Sequence, residues 1–228
     1  MTYQNVRVDN ISRVTSKSLR DKVFLASFPE YYDLVSVTEN GPWHSNQNVL
    51  DHVIGVYAGL EKVLRFNDLK IGQKDTLKRY LSGVVGNQTR QNILKVATLL
   101  HDIAKSDTLV KSPDGTAWCP GHELIAAGRV KNFAERFHLD TKSESYVERM
   151  VRYHGFISEI LNLIIANQDN EKYLRIFKET VKDIAIELIL LMQADLQGCD
   201  LEKSDRKGYN DRIALLDWML KTLLKEVN

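Results

Sequence analysis

Six residues of this chain have the types and the spacing of a metal site. His101 and Asp102 are adjacent and end an apolar run that begins near Ile93. The others continue apolar stripes on four further predicted helices, at intervals of three or four residues, and they are His52, His122, His154 and Asp195. Burying such a group without a partner costs roughly 1 to 3 kcal/mol. Convergence on a shared metal site removes that cost, so we predict that these residues are metal ligands.

The donor atoms of this set are imidazole nitrogens and carboxylate oxygens, with no thiolate. That chemistry favours Fe, Mn, Co, Ni or Zn over a structural thiolate site. Asp102 has two oxygens and can bridge two ions, and an ion pair can activate water and bind the oxygens of a phosphoryl group. We therefore expect two divalent transition-metal ions, with Asp102 as a catalytic residue. For any single histidine, the alternative is a hydrogen-bonded core residue.

Three residues near these ligands are candidates for substrate contact. Lys105 lies one turn after His101, where its ammonium could bind a substrate phosphate and assist catalysis. The alternative is a solvated lysine that the helix dipole favours at a C-terminus. Asn48 precedes His52 by one turn and could line the pocket, and His44 could reach the site as an acid or a substrate contact.

Two further candidates and one control histidine lie elsewhere in the chain. Trp118 could stack on a base, and Arg152 could bind a phosphate. A packing tryptophan and a solvated arginine are the alternatives. His138 lies off the apolar stripe of its segment, with Glu135 three residues before it, so we expect His138 at the surface.

The elements that must position these residues are helices. Apolar residues recur mostly at helical spacing, and only 4 Pro and 12 Gly interrupt the 228 residues, so an all-α fold is predicted. A short helix is expected within residues 66–90, one or two helices within 156–177, and one from a capping box at Thr141 and Glu144. The other predicted helices span residues 16–28, 48–64, 91–104, 121–138, 183–198 and 209–227.

Two segments between these helices are expected to be irregular. Pro29 is predicted to end the first helix, and residues 31–43, which contain Gly41 and Pro42, form an aromatic lead-in. Residues 105–121 turn polar around Pro113, Asp114 and Gly115, which predicts a long loop. Loops of that length in compact domains are more often functional than idle.

One domain is expected, because 228 residues can bury a single substantial core and no stretch has the composition of a linker. We divide it into a helical lead-in (1–40), the metal-binding bundle (41–200) and a C-terminal helix packed on the same domain (201–228). Lys and Arg number 31 against 30 Asp and Glu, which gives no strong evidence for nucleic-acid binding. A homo-oligomer is left open.

The N-terminus and the cysteines indicate the cellular compartment to expect. Residues 1–10 lack the apolar core of a signal peptide, and no run approaches the roughly 20 apolar residues of a membrane span. We therefore expect a soluble cytoplasmic protein without a membrane partner. Cys119 and Cys199 are far apart in sequence and are predicted to be free thiols rather than a disulfide or a zinc finger.

The candidate ligands occur along the chain in the order His52, His101-Asp102, His122, His154 and Asp195. That order resembles the HD-domain metal-dependent phosphohydrolase superfamily, over about residues 40–200. The stretch from Leu99 to Lys105 is similar to the motif that defines the superfamily. Gly121-His122-Glu123 and Val151-Arg152-Tyr153-His154 resemble stretches in the HD domains of tRNA nucleotidyltransferases and in small stand-alone HD hydrolases.

This resemblance implies a helical bundle of the HD type around two ions. By the resemblance, one ion is held by His52, His101, Asp102 and Asp195, and the other by His122, His154 and the bridging Asp102. The implied activity is that of a phosphomonoesterase or phosphodiesterase, in which a metal-bound hydroxide attacks a nucleotide or another small phosphoester and Lys105 helps to neutralise the phosphate. Two alternatives stay open: a di-iron oxygenase, as in a minority branch of the superfamily, and a non-catalytic ligand-binding or regulatory module that metal stabilises.

Overall fold

The computed structural model describes residues 11–41 and 43–227, and the all-α prediction is confirmed. The α-helices are α1 (Ser16–Arg20), α2 (Pro29–Tyr32), α3 (Val49–Val63), α4 (Ile71–Ser82), α5 (Arg90–Leu100), α6 (Lys105–Thr108), α7 (His122–Phe133), α8 (Thr141–Tyr153), α9 (Phe156–Asn167), α10 (Asn170–Val181), α11 (Ala185–Gly198), α12 (Leu201–Ser204) and α13 (Arg206–Leu224). Short 3-10 turns lie at Ile11–Arg13, Asp33–Ser36 and Lys182–Ile184. Among the described helices, none is long and apolar enough to cross a membrane.

Three small antiparallel hairpins accompany the helices. They pair β1 (Thr38–Glu39) with β2 (Gln47–Asn48), β3 (Val84–Val85) with β4 (Gln88–Thr89), and β5 (Val110–Lys111) with β6 (Ala117–Trp118). Strands of two residues are too short to produce the alternating pattern by which strands are recognised in a sequence. The first two hairpins lead directly into α3 and α5, and the third lies just before α7. The hairpins therefore set the start of three helices.

One continuous cluster of buried apolar side chains extends from Ile11 to Leu224. The helix α11 is buried on nearly every side, and its apolar residues explain this position, since a helix without a polar face must be surrounded by other elements. It packs most extensively against α3. These two helices form the centre of the fold.

Glycines allow α3 and α11 to pack backbone against backbone. A Cβ atom on Gly59 of α3 would lie 2.6 Å from the carbonyl oxygen of Ala194, and one on Gly198 of α11 would clash with the backbone of Val56. Any larger residue at either position would push the two helices apart. The close contact matters for function because α3 carries His52 and α11 carries Asp195.

The N-terminal region differs from the prediction in two ways. The helix expected over 16–28 ends at Arg20, and a series of turns follows it. Pro29 begins α2 instead of ending a helix, because proline lacks an N–H and fits the first helical turn. The lead-in over 31–43 is more ordered than expected, and its Tyr31 and Leu34 are buried in the core. Pro42 lies outside the described residues.

Two further expectations are wrong. Residues 105–121 are not one long loop, because α6 and the β5–β6 hairpin lie within them. Asp114 stabilises the tip of that hairpin by accepting a 2.9 Å hydrogen bond from the backbone N–H of Thr116. The helix α8 is capped by Asp140, whose carboxylate accepts from Ser143 N at 2.9 Å, so Thr141 is the first helical residue rather than the cap.

The remaining helices are confirmed, with ends that shift by a few residues. The segment 66–90 contains α4, and the segment from Phe156 contains two helices, α9 and α10. The final helix begins at Arg206 and ends at Leu224. The division into 1–40, 41–200 and 201–228 stays a prediction, and residues 1–10 and 228 lie outside the described part of the chain.

Candidate metal centre

The six predicted ligands come together at one place, from five helices or their ends. His52 lies in α3, His101 and Asp102 directly follow α5, His122 begins α7, His154 directly follows α8, and Asp195 lies in the last two turns of α11. Gly121 has a positive φ of 69°, and this turn starts α7 at His122. The convergence that the sequence predicted is present in the fold.

Asp102 lies between two pairs of histidines. Its Oδ2 atom is 3.3 Å from Nε2 of His52 and 3.4 Å from Nε2 of His101. Its Oδ1 atom is 3.1 Å from Nε2 of His122 and 3.7 Å from Nε2 of His154. The two oxygens of one carboxylate therefore face two different sets of nitrogen donors, which is the geometry that a bridging ligand needs.

Asp195 completes the first of these sets from the more open side. Its Oδ1 atom lies 3.1 Å from Nε2 of His52 and 4.0 Å from Nε2 of His101. The Asp195 side chain is 22% exposed, whereas those of His52, His101 and Asp102 are at most 3% exposed. A small molecule would therefore reach the centre past Asp195 and the partly exposed His122.

Backbone hydrogen bonds orient three of the imidazole rings. In each ring Nδ1 lies 2.7 to 2.8 Å from the carbonyl oxygen of the residue three positions earlier. The pairs are His101 with Thr98, His122 with Cys119, and His154 with Val151. A carbonyl oxygen only accepts, so Nδ1 carries the proton and Nε2 presents a lone pair to the centre. This second hydrogen bond is typical of metal-binding histidines.

Several buried polar atoms of the centre lack a hydrogen-bond partner among the described residues. They are Nε2 of His101, Oδ2 of Asp102 and Oδ1 of Asp195. The Nε2 atoms of His122 and His154 face each other at 3.2 Å, and two lone pairs at that distance repel. A divalent transition-metal ion accepts electron pairs from such nitrogens and oxygens, so the donor set fits the predicted ions. The groups His52, His101, Asp102 and Asp102, His122, His154 are each close enough to hold one.

The electrostatics of the centre keep its carboxylates ionised. Burial alone would raise the pKa of Asp102, but the nearby His101 and Lys105 hold that pKa well below its usual range. The pKa of Asp195 is lowered despite burial, mainly by its contact with His52. Burial alone would lower the pKa of His52, but Asp102 and Asp195 together raise it to about 9. Both aspartates are therefore anions, the form that binds metal.

His154 and His44 are neutral at neutral pH, whereas at His122 burial would lower the pKa but contact with Asp102 raises it. Burial lowers the pKa of His154 to about 3, and the neighbouring rings of His101 and His122 contribute to this shift. Burial, and then the nearby His52, lower the pKa of His44 to about 4. A neutral imidazole is the form that can donate its electron pair to a metal ion.

The comparison with known families agrees with this geometry. Residues 49–196, more than half of the chain, match the model of the HD domain family. The chain belongs to the HD domain family. The match begins at the first residue of α3 and includes all six predicted ligands, which we call the HD centre. This family is part of the HD-domain metal-dependent phosphohydrolase superfamily, and most members of that superfamily are hydrolases. No curated protein matches the chain.

Lys105 lies beside the HD centre but is not the solvated lysine of the alternative interpretation. It is buried, and it begins α6 instead of ending α5. Its Nζ atom lies 2.5 Å from Oε2 of Glu39 and 3.0 Å from Oδ2 of Asp102. Two carboxylates compensate the burial and raise the pKa of Lys105, so it is a cation at all ordinary pH values. Its contact with a substrate phosphate stays a prediction.

Sequence reasoning missed Glu39. Its carboxylate is buried in β1, where it binds Lys105 and lies 3.7 Å from Nε2 of His44. In the structure, exposed Thr38 lies between buried Val37 and Glu39, and an alternation over three residues is too short to be recognised in a sequence. Through Glu39 the N-terminal lead-in becomes part of the HD centre.

The predicted substrate contacts differ in their position relative to the HD centre. The ring of His44 packs edge-on against His52, with 4.5 Å between ring centroids, so His44 adjoins the HD centre. Asn48 instead caps α3, where Oδ1 accepts from Asp51 N at 2.8 Å and Nδ2 donates to Asp51 Oδ2 at 2.6 Å. Both polar ends of Asn48 are therefore occupied outside the centre.

The side chains of the other two predicted contacts, Arg152 and Trp118, are partly exposed. Arg152 donates from Nε to Oε1 of Glu148 at 3.1 Å, one turn earlier in α8. Trp118 is 41% exposed and pairs with Val110 across the β5–β6 hairpin. Their roles in binding a substrate stay predictions. His138 is exposed, as expected, and both cysteines are free thiols.

Proposed function

We propose that this chain is a metal-dependent phosphohydrolase that acts on a nucleotide or another small phosphoester, as a phosphomonoesterase or a phosphodiesterase. The observation that supports this most directly is the position of Asp102, whose two oxygens face two separate histidine pairs. A carboxylate in this arrangement suits two adjacent ions, and adjacent ions suit the two oxygens of a phosphoryl transfer.

Each ion would be held by residues already in place. His52, His101, Asp195 and Oδ2 of Asp102 would hold one, and His122, His154 and Oδ1 of Asp102 would hold the other. When bound, the ions supply positive charge for phosphoryl oxygens and lower the pKa of a water molecule. Fe, Mn, Co, Ni and Zn all suit these donors.

The side chains around the ligands have definable tasks in this proposal. The Nδ1 hydrogen bonds hold the rings of His101, His122 and His154 in their orientation. Lys105 keeps Asp102 ionised, and Glu39 holds the Lys105 ammonium in place. A direct contact between Lys105 and a substrate phosphate would require the ammonium to move away from Glu39. We therefore assign Lys105 first to positioning Asp102.

The exposed fractions in the HD centre suggest the side from which a phosphoester enters. The inner ligands exclude water, and the route past Asp195 and His122 is the open one. His44 adjoins His52 and is the predicted contact best placed to meet a substrate. Arg152 would have to leave Glu148 before it could bind a phosphate.

The first test measures metal content and phosphate release together. Protein purified without chelator is analysed for metals and then assayed against nucleotides and simple phosphoesters with each candidate ion. We expect about two bound ions and release of phosphate from at least one substrate. Asp102→Ala should lose both ions and reduce the rate by at least about 100-fold, since it removes a ligand from each ion. Asp75→Ala, an exposed aspartate on α4, is the matched control.

Three outcomes would contradict the proposal. Full metal content and full hydrolysis in Asp102→Ala would exclude the bridging role. Oxygen consumption with an organic substrate, without phosphate release, would indicate the oxygenase. Failure to hydrolyse any phosphoester, together with loss of thermal stability on chelation, would indicate a non-catalytic module.

A further inference from the structure

A cavity lies outside the HD centre, between the end of α3, the helices α11 and α13, and Leu77 of α4. Its volume is about 670 Å³, within the range of about 300 to 1,000 Å³ that small-molecule sites occupy. It lies on the side of α11 that faces α13, because Gln193 points into it while Asp195, two residues further, faces His52. The cavity is therefore a separate site.

Half of the residues that line this cavity are apolar. The apolar lining comprises Val63, Phe66, Leu69, Leu77, Leu190, Ile213 and Leu220. Phe66, Leu77 and Leu220 are themselves buried in the core, so these walls are set by the fold rather than by loose surface side chains. Apolar walls of this kind suit a flat ring system, which removes its faces from water on binding.

Polar groups converge on one part of the cavity. Gln193 is only 7% exposed and donates from Nε2 to Oδ1 of Asp217 at 2.8 Å. Asp68 and Gln197 also line the cavity. Burial raises the pKa of Asp217, with a further contribution from the charge of Asp68. A carboxylate and amides held side by side can accept from and donate to the edge of a nucleobase.

Two cations also line the cavity. Lys62 and Arg65 are exposed at the end of α3, where each could bind a phosphate. A ligand that contacted the apolar walls, the polar groups and the two cations would combine a flat ring, a hydrogen-bonding edge and an anionic group. Among common small molecules, a nucleotide has this combination.

We propose that this cavity binds a purine nucleoside monophosphate, whose base is recognised by Gln193 and Asp217 and whose phosphate is bound by Lys62 and Arg65. Guanine fits the carboxylate best, because it places two N–H donors side by side on one edge. The bound nucleotide would contact α3 and α11, the helices that carry His52 and Asp195. This inference does not depend on the activity of the HD centre.

The test measures binding of guanosine monophosphate by calorimetry, on the full chain as purified and again after chelation. The wild type should bind the nucleotide under both conditions. Asp217→Asn replaces an acceptor oxygen by a donor, so it should weaken binding about tenfold or more. Gln193→Met should also weaken it, and a thermal unfolding scan checks that both variants fold. Asp211→Asn changes a partly exposed aspartate of α13 that pairs with Lys207, and this matched control should bind normally.

Two further variants locate the ligand. Arg65→Ala should weaken binding of guanosine monophosphate more than binding of guanosine, which has no phosphate. His122→Ala alters the HD centre and should leave binding unchanged. No binding to the wild type would overturn the inference, and so would equal binding by Asp217→Asn. Binding that His122→Ala abolishes would place the nucleotide at the HD centre, which would overturn this inference and still agree with the proposed phosphohydrolase.

Discussion

Two buried polar clusters lie at opposite ends of the same helices, and they differ in how their atoms are satisfied. One is the HD centre. The other, which we call the Arg90 cluster, consists of Arg90, Glu187, Tyr80 and Tyr146. In it, Oε1 of Glu187 accepts from Nη1 of Arg90 at 2.7 Å, and Oε2 accepts from the hydroxyl of Tyr80 at 2.8 Å. The ring of Tyr80 also covers the guanidinium at 4.4 Å.

The difference indicates which cluster holds the fold and which binds a ligand. Glu187 is completely buried, yet both of its oxygens have partners. In the HD centre, His101, Asp102 and Asp195 each have a buried polar atom without a hydrogen bond among the described residues. A polar network in which every buried atom has a hydrogen bond stabilises one arrangement of the chain. Buried nitrogen and oxygen atoms that face one another without hydrogen bonds are instead typical of a binding site.

The two clusters are connected through three helices. Each helix has one residue in the Arg90 cluster and leads to a predicted ligand further along. Arg90 begins α5 and His101 directly follows it, Tyr146 lies in α8 and His154 directly follows it, and Glu187 and Asp195 both lie in α11. The Arg90 cluster therefore fixes the positions of these helices relative to one another. A structural network at one end thus positions the predicted metal ligands at the other.

The largest expected effect comes from removing Glu187. Glu187→Ala would leave the half-buried Arg90 guanidinium without its carboxylate. Breaking a buried ion pair by deleting one partner typically costs about 3 to 5 kcal/mol. We expect the free energy of unfolding in urea to fall by that amount. Metal affinity should fall with it, because α5, α8 and α11 lose their common anchor.

The control for this change is Glu179→Ala, an exposed glutamate on α10. It should alter the unfolding free energy by no more than about 0.5 kcal/mol, as exposed substitutions usually do. A similar small effect from Glu187→Ala would mean that the Arg90 cluster does not hold the helices, and the contrast between the two clusters would fail.

The second-largest expected effect is the stabilisation of the fold by metal ions bound at the HD centre. A metal ion that binds only the folded chain should raise the unfolding free energy by about 2.7 kcal/mol at a concentration of 100 times its Kd. Asp102→Asn should lose most of this increase, because an asparagine side chain at this position would offer only one good acceptor to two ions. Urea unfolding with and without Mn²⁺ measures both. An equal increase in Asp102→Asn and in wild type would show that the ions bind elsewhere.

The convergence of the six predicted ligands could be predicted because these residues obey the same periodicity as the core. His52, His122 and Asp195 each continue an apolar stripe, so burial and helical phase together place them inside. The helices themselves were predictable for the same reason. The family match then agreed with an arrangement that local patterns had already indicated.

The residues that escaped prediction depend on contacts between distant segments. Glu39 meets Lys105 across 66 positions of the chain, and Gln193 meets Asp217 only after α13 folds back on α11. Pro29 suits either the end of one helix or the first turn of the next. The cap of α8 is a side-chain acceptor, a role that Asp140 and the adjacent Thr141 could both fill. Periodicity identifies the buried face of a helix but not the partner that this face meets.

Asp217 is intermediate between the two clusters in how its polar atoms are satisfied, and its replacement has the smallest predicted effect. It has one buried partner, Gln193, and burial raises its pKa from 3.8. The folded state therefore favours the neutral carboxyl. The stability that this group contributes is complete below pH 3.8 and is lost as the pH rises through the higher pKa of the folded state.

Asp217→Asn removes this dependence. Its unfolding free energy relative to wild type should therefore increase as the pH rises from about 3.5 to 7. Titration of the HD centre affects both proteins equally and cancels in the difference. A gain in stability at neutral pH, together with weaker nucleotide binding, would mean that Asp217 is retained at some cost to the fold. A difference that stays constant with pH would mean that Gln193 fully compensates the carboxylate, and Asp217 would then belong with the Arg90 cluster.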